Sequence, residues 1–248
     1  MKTLRELIEE SNNIVFFGGA GVSTESNIPD FRSESGLFHA REIYGRSPEA
    51  LVSHSTFVNE PELFYDYYKK NLVFPDAQPN NAHIALAKLE EIGKLKAVIT
   101  QNVDGLHQKA GSKTVYELHG SVHRNQCLSC GKMFTLDYIL DDSNCVHKNG
   151  KQGSIPWCDE CGFMIKPVVV LYEEALDDSV VTPAINAIAA ADLLIVGGTS
   201  LVVYPAAGYL GYFRGENIVL INKSKTGMDN RADLVINEPI GEVLKEFI

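Results

Sequence analysis

The run Thr100-Gln101-Asn102-Val103-Asp104-Gly105-Leu106-His107 is followed, fifteen residues after Asp104, by His119 within Glu117-Leu118-His119-Gly120-Ser121. An amide, a carboxylate and a histidine are groups that hold polar ligands and move protons. Histidine ionises near pH 6.5, so His119 can take up a proton around neutrality. Just before this run, Lys96-Ala97-Val98-Ile99 is a short apolar segment of the kind that forms a buried parallel strand. The polar side chains therefore emerge at a strand's carboxyl end, where ligands sit in open α/β sheets.

Two glycine turns join it. Asn13 to Phe17 reads as a buried strand that leaves through Gly18-Gly19-Ala20-Gly21-Val22-Ser23, with a helix expected next. Glycines there let the backbone approach a phosphate, and a helix start adds unpaired N–H groups. The pattern departs from G-x-G-x-x-G, with Thr24 in place of the third glycine, and no strand ending in an acid follows about 20 residues later. Strand Asp192 to Val196 leaves through Gly197-Gly198-Thr199-Ser200, and strand Asn217 to Ile221 ends at Asn222. Several polar or glycine-rich turns at strand ends of one sheet make a dinucleotide site the better reading. Between them, Asn27-Ile28-Pro29-Asp30-Phe31-Arg32 is a loop suited to a polar, aromatic ligand.

The intervening pattern is a succession of βα units. Helices are expected at Asn81 to Glu91, with Ile84, Leu86 or Ala87 and Leu89 inward, and at Asp178 to Ala190. Strands are expected at Thr114 to Leu118, Ile165 to Tyr172 and Asp233 to Ile236, with a closing helix from Ile240. Buried strands alternating with helices predict an α/β fold, a Rossmann-like parallel sheet with helices on both faces. The aromatics of Leu63-Phe64-Tyr65-Asp66-Tyr67-Tyr68 suit a packing face, and the adjacent Glu173 and Glu174 suit a solvated or helix N-terminal role.

The rhythm breaks at Cys127-x2-Cys130 and Cys158-x2-Cys161. Two such pairs predict a tetrahedral Zn2+ site with no position left for water, hence a structural one. Cys145 and His147 lie between the pairs as weaker candidates. A net charge of −10 disfavours stable nucleic-acid binding, because neutralising phosphates needs a basic face. No apolar run reaches the roughly 18 residues that a membrane helix needs. The first ten residues form a charged amphipathic pattern rather than a signal peptide, so a cytoplasmic location is expected.

Taken together, Gly19-Ala20-Gly21-Val22-Ser23, Ile28 to Arg32, Thr100 to His107, Leu118-His119-Gly120-Ser121, the cysteine pairs and Gly198-Thr199-Ser200-Leu201-Val202-Val203-Tyr204-Pro205-Ala206 resemble the sirtuins, NAD-dependent protein deacylases, in the bacterial, zinc-containing form. The motifs come in the family's order across nearly the whole chain. The resemblance implies a discontinuous NAD-binding domain (1–34, 80–122 and 165–248). It also implies a small domain made of a helical insertion (35–79) and a zinc-binding insertion (123–164).

It further implies that Gly19, Ala20, Thr24, Asp30, Phe31 and Arg32 contact NAD, that Gln101, Asn102, Val103 and Asp104 line the ribose and nicotinamide pocket, and that Gly198, Thr199 and Ser200 take the phosphates. Asn222 falls to the adenosine ribose and Ile240 to a backbone contact. His119 is the implied general base, with Asn102 and Asp104 beside it. Val168, Val170, Tyr172 and Glu173 are implied to dock an acyl-lysine peptide by strand addition. Here Tyr172-Glu173-Glu174 replaces the family's usual Phe-Gly-Glu. Members that take acidic acyl groups carry Tyr-x-x-Arg where this chain has Tyr65-Asp66-Tyr67-Tyr68, so short or apolar acyl groups are expected. The alternatives are an NAD-dependent mono-ADP-ribosyltransferase, a module that binds NAD or DNA, and an NAD oxidoreductase.

Overall fold

Ile14-Val15-Phe16-Phe17-Gly18 is buried at every position, as a strand covered on both faces must be. Ile14 and Phe16 join one apolar cluster with Leu4, Leu7, Leu86, Leu89 and Leu244, while Val15 and Phe17 join a second with Ala184, Ile188, Leu194 and Leu210. Alternate side chains of one strand thus build two cores. In the computed structural model, which describes residues 2–30, 40–146 and 150–248, this strand lies inside a six-stranded sheet.

In chain order the elements used below are α1 (Leu4–Glu10), β1 (Ile14–Gly18), α2 (Pro48–Leu51), α3 (His54–Asn59), α4 (Pro61–Asn71), α5 (Asn81–Glu91), β2 (Leu95–Thr100), α6 (Leu106–Ala110), β3 (Val115–Glu117), β4 (Gly120–Cys127), β5 (Met133–Phe134), α7 (Leu136–Leu140), β6 (Ile165–Val169), α8 (Asp178–Ala190), β7 (Leu193–Gly197), β8 (Asn217–Ile221), β9 (Leu234–Ile236) and α9 (Ile240–Leu244). The large sheet has the order β3-β2-β1-β7-β8-β9 and is parallel throughout. Helices α1, α5 and α9 contribute to the cluster on one face and α8 to that on the other. Registry levels the strand ends: Gly18 pairs with Thr100 and with Gly197, Gly197 with Ile221, and Thr100 with Glu117. The turns that follow these residues therefore leave one edge of the sheet together.

Helix α5 forms over the expected span, started by Asn80, whose side chain accepts from Ala82 N. Its buried face is Ala82, His83, Ala85, Leu86 and Leu89, while Ile84 and Ala87 are half-buried. The stripe is wider than the apolar residues alone suggest, because His83 packs edge-on against His107 of α6, with ring centroids 4.7 Å apart. After β1 no α-helix forms up to residue 30, contrary to expectation. The chain makes two short 3-10 turns, Ala20–Val22 and Thr24–Ser26, and Asn27 turns left-handed at φ 61°. Ser23 and Thr24 bond to Asp104 and Gly21 instead of starting a helix.

The strand expected after the second cysteine pair also forms, as β6. It does not enter the large sheet: it pairs antiparallel with β4 in a second sheet of order β5-β4-β6. A third apolar cluster joins this sheet to the helical segment. Phe57, Phe64, Tyr65, Tyr67 and Tyr68 pack with Val122, Leu136, Val169 and Leu171, and the Tyr65 hydroxyl donates to the Ile165 carbonyl. The tyrosines are thus a packing face, as their spacing suggests.

His83 and His107 are wholly buried, and burial holds both imidazoles below their usual pKa, with each other's proximity opposing protonation of His107 further. Their folded pKa is depressed, so the unfolded chain binds protons that the fold refuses. Stability is then complete above the unfolded value of about 6.5 and falls as the pH drops through it. The thermal midpoint should decline between pH 7 and pH 5, above most carboxylate titration; a flat midpoint over that interval would contradict this.

Candidate functional site

The levelled strand ends open on a cleft of about 570 Å³, within the usual range for a ligand site. Gly21 N–H donates to the Gly198 carbonyl (2.8 Å), so the two glycine turns touch. A Cβ on Gly21 would stand 2.8 Å from Gly198 Cα, and Gly198 itself has φ 58°; neither position tolerates a side chain without movement. The close approach leaves bare backbone facing the cleft, a cradle suited to phosphates.

The third turn is locked onto them. Gln101 N–H donates to the Gly18 carbonyl (3.0 Å) and its amide to Thr199 Oγ1 (3.1 Å). Asn102 Nδ2 donates to Ser23 Oγ (3.0 Å), and Ser23 Oγ donates to Asp104 Oδ2 (2.7 Å), while Asp104 Oδ1 accepts from Leu106 N (2.9 Å). One hydroxyl thus orients both the amide and the carboxylate. In the sequence Ser23 stands out only as part of its glycine-turn motif; its partnership with Asp104, 81 residues away, has no local signal.

His119 Nδ1 donates to the Gln101 carbonyl (2.9 Å), which leaves Nε2 as the free basic nitrogen. Burial lowers the pKa of His119, and the carbonyl partly offsets this by favouring the charged ring. The imidazole is therefore neutral at pH 7 and able to accept a proton. Behind it, Val170 N–H donates to the His119 carbonyl, and a Cβ on Gly120, at φ 76°, would lie 2.1 Å from the Val168 oxygen. The small sheet is thus pressed directly against the histidine turn.

The cleft brings together Gly19, Ala20, Asp30, Gln101, Asn102, Val103, Asp104, His119, Gly198, Thr199 and Ser200, with Val170, Tyr172 and Glu173 along one wall. Four other candidates stand outside the lining. Thr24 bonds back to the Gly21 carbonyl, and Ile240 is buried with its side chain beside Gly197. Asn222 follows β8, whose Ile221 carbonyl accepts from Gly198 N–H, and its side chain donates to the Ser224 carbonyl (2.7 Å); Val168 is exposed on β6. Phe31, Arg32 and His147 lie outside the described residues.

A second constellation closes elsewhere. The sulfurs of Cys127, Cys130, Cys158 and Cys161 all lie within 4.8 Å of one another, with Cys127–Cys161 at 3.4 Å and Cys130–Cys158 at 3.6 Å. Thiolates 2.3 Å from a tetrahedral zinc stand about 3.8 Å apart, so the set fits that ion. Both pairs sit on equivalent knuckles, in which Gly131 N–H reaches the Cys127 carbonyl and Gly162 N–H the Cys158 carbonyl. Cys145 is outside the set, buried against Lys69 Nζ at 3.2 Å.

A profile of the Sir2 family matches residues 19–205, taking in both glycine turns, the histidine turn and all four cysteines. The chain belongs to the Sir2 family. A sirtuin relative from Clostridium perfringens, named an NAD-dependent protein deacetylase, is 59% identical over 246 residues, covering 99% of this chain and 97% of its own. One from Clostridium acetobutylicum with the same name is 57% identical over 245 residues, covering 99% and 96%. Among solved structures, a Sir2–p53 peptide–NAD+ complex matches with a TM-score of 0.83 at 38% identity, covering 99% of this chain and 97% of that one. The sirtuin fold thus accounts for the parallel sheet, the small antiparallel sheet and the cysteine cluster together.

Four thiolates converging on one point repel unless a cation compensates them. Stripping metal from the purified protein should release one zinc per cysteine cluster, lower the thermal midpoint and expose the β4–β6 region to protease. Unchanged stability after confirmed metal loss would contradict a structural role.

Proposed function

We propose that this Sir2-family chain is an NAD-dependent protein lysine deacetylase, converting an acetyl-lysine peptide, NAD and one water to free lysine, nicotinamide and O-acetyl-ADP-ribose. The observation that carries the reading is His119: its Nδ1–H is committed to the Gln101 carbonyl, and the ring borders a cleft shared with Asn102, Asp104 and both glycine turns. The names of its relatives and the acetylated peptide and NAD+ in matching Sir2 structures support the same reaction.

NAD would supply a ribose carbon made electrophilic by departure of nicotinamide. The bare backbone around Gly19, Ala20 and Gly198, with Thr199 and Ser200, would hold its phosphates. Asp30, Phe31 and Arg32 would enclose the nicotinamide end beside Gln101, Asn102, Val103 and Asp104. Thr24 would act by stiffening the first turn, and Asn222 and Ile240 would meet the adenosine end. Ser23 keeps Asn102 and Asp104 in fixed orientation, so they need no rearrangement when a substrate arrives. His119 Nε2 would take the proton released in the cleft, and the Gln101 carbonyl at Nδ1 would stabilise the imidazolium that forms. Zinc would have no chemical part, since four cysteines leave it no open position.

The peptide would lie along Val168, Val170, Tyr172 and Glu173. The division into an NAD-binding domain of three segments and a small domain of two insertions belongs to this reading, as does a cytoplasmic location. No helix among the described residues is long and apolar enough to cross a membrane. Short or apolar acyl groups are the favoured substrates: Tyr65 and Tyr68 are buried, Lys69 faces Cys145, and Lys70, which does line the cleft, is paired with Asp66 at 2.5 Å.

His119→Ala should cut deacetylation of an acetyl-lysine peptide by about 10²–10⁴-fold while leaving the melting curve in place. In the unsubstituted enzyme the base must be neutral, so the rate should rise with pH through a value below 6.5 and be level at neutrality. A folded His119→Ala protein with near-normal turnover would show that another group is the base.

A further inference from the structure

The wall of the cleft from Val170 to Glu174 is held by a side chain in a costly backbone conformation. Glu173 has φ 77°, the left-handed region that residues with a Cβ rarely adopt. Its carboxylate is engaged: Oε2 accepts from Ser55 N–H (2.9 Å) and from Ser55 Oγ (2.6 Å), in the first turn of α3. Those bonds keep the carboxyl below its ordinary pKa, so it is charged at neutrality. The neighbouring carboxylate does something different. Glu174 accepts from Leu171 N–H (3.0 Å) and from Lys166 Nζ (3.1 Å) of β6, and meets His54 Nδ1 at 2.9 Å.

The main chain completes the joint. Tyr172 N–H donates to the Val52 carbonyl (3.1 Å), and His54 N–H donates to the Tyr172 carbonyl (2.9 Å). At the other end of the same segment, Val170 N–H reaches the His119 carbonyl (2.9 Å). Five residues that line the cleft are therefore suspended between the histidine turn and the helical segment. Two side chains tie the far end to α3, Glu173 at Ser55 and Glu174 at His54, and of the two it is Glu173 that sits in the left-handed conformation.

We propose that Glu173 is a positioning residue for the acyl-lysine peptide: its bond to Ser55 holds the left-handed turn that keeps the Val170–Tyr172 wall at a fixed distance from His119. The proposal rests on the deacetylase reading. A wall ordered in advance spares the peptide the cost of ordering it on binding. Releasing the clamp should therefore weaken peptide binding and leave the NAD end of the cleft, formed by the glycine turns, nearly unaffected.

The test is a double-substitution cycle on the full chain, with Glu173→Ala, Ser55→Ala and both together. Initial rates would be measured against an acetyl-lysine peptide at saturating NAD, and against NAD at saturating peptide. Glu173→Ala should raise the peptide KM about five- to tenfold and Ser55→Ala about two- to threefold, with no further rise in the double variant, because the bond is already gone. The KM for NAD should move less than twofold. Glu173→Gly serves if the alanine variant folds poorly, since it relieves the backbone while removing the carboxylate; its peptide KM should also rise. An unchanged peptide KM in a folded Glu173 variant, additive effects of the two substitutions, or an equal rise in KM for NAD would overturn the clamp. Failure of the unsubstituted protein to turn over any acetyl peptide would overturn the deacetylase reading, and the clamp with it.

Discussion

The contact between the Gly21 amide and the Gly198 carbonyl is the constraint on which the cleft depends. Two strand ends can meet this closely only where neither carries a side chain, and a Cβ on either glycine would stand inside the other turn. Once β1 and β7 are fixed in this way, the in-register pairing of Gly18 with Thr100 delivers the Gln101–Asp104 segment to the same edge. The amide of Gln101 then closes back on Gly18 and Thr199. Three turns from distant parts of the chain become one surface, with its polar groups already oriented.

The second sheet bears on this surface through the histidine turn and the start of β4, where Val122 N–H donates to the Val103 carbonyl and His123 Nε2 to the Asp104 carbonyl. His119 takes its ring orientation from Gln101, just beyond β2 of the large sheet, and its backbone position from Val170, just beyond β6. Gly120 is small because the Val168 carbonyl occupies the place a side chain would need. A proton-accepting histidine is thus shared by the element that would bind NAD and the element that would bind peptide. The zinc knuckles connect to the same site through β4 and β6, which begins beside the second cysteine pair, in keeping with a structural part for the metal.

Much of this was legible in the sequence because the signals were local. Helices α5 and α8 follow from the periodicity of their residues, the buried strands from unbroken apolar runs, and the metal cluster from the spacing of four cysteines. What was not legible depended on contacts across the chain. The expected helix after β1 gave way to 3-10 turns because Ser23 finds Asp104, and no short window contains both. The pairing of β6 with β4 was hidden by the polar composition of Gly120 to Cys127 and by the irregular register between Gly120 and Asn125. Glu173 and Glu174 read as solvated or helix-capping residues; their division between Ser55 and Lys166 emerges only when the helical segment is folded against β6.

One cleft would couple cleavage of NAD to removal of an acyl group from lysine. The most direct test is to follow nicotinamide release from NAD with and without an acetyl-lysine peptide, counting free lysine in parallel. Equal amounts of nicotinamide and deacetylated peptide, with little release when the peptide is absent, is the result expected. Nicotinamide release without deacetylation would contradict the account and point to ADP-ribosyl transfer or NAD hydrolysis in the same cleft.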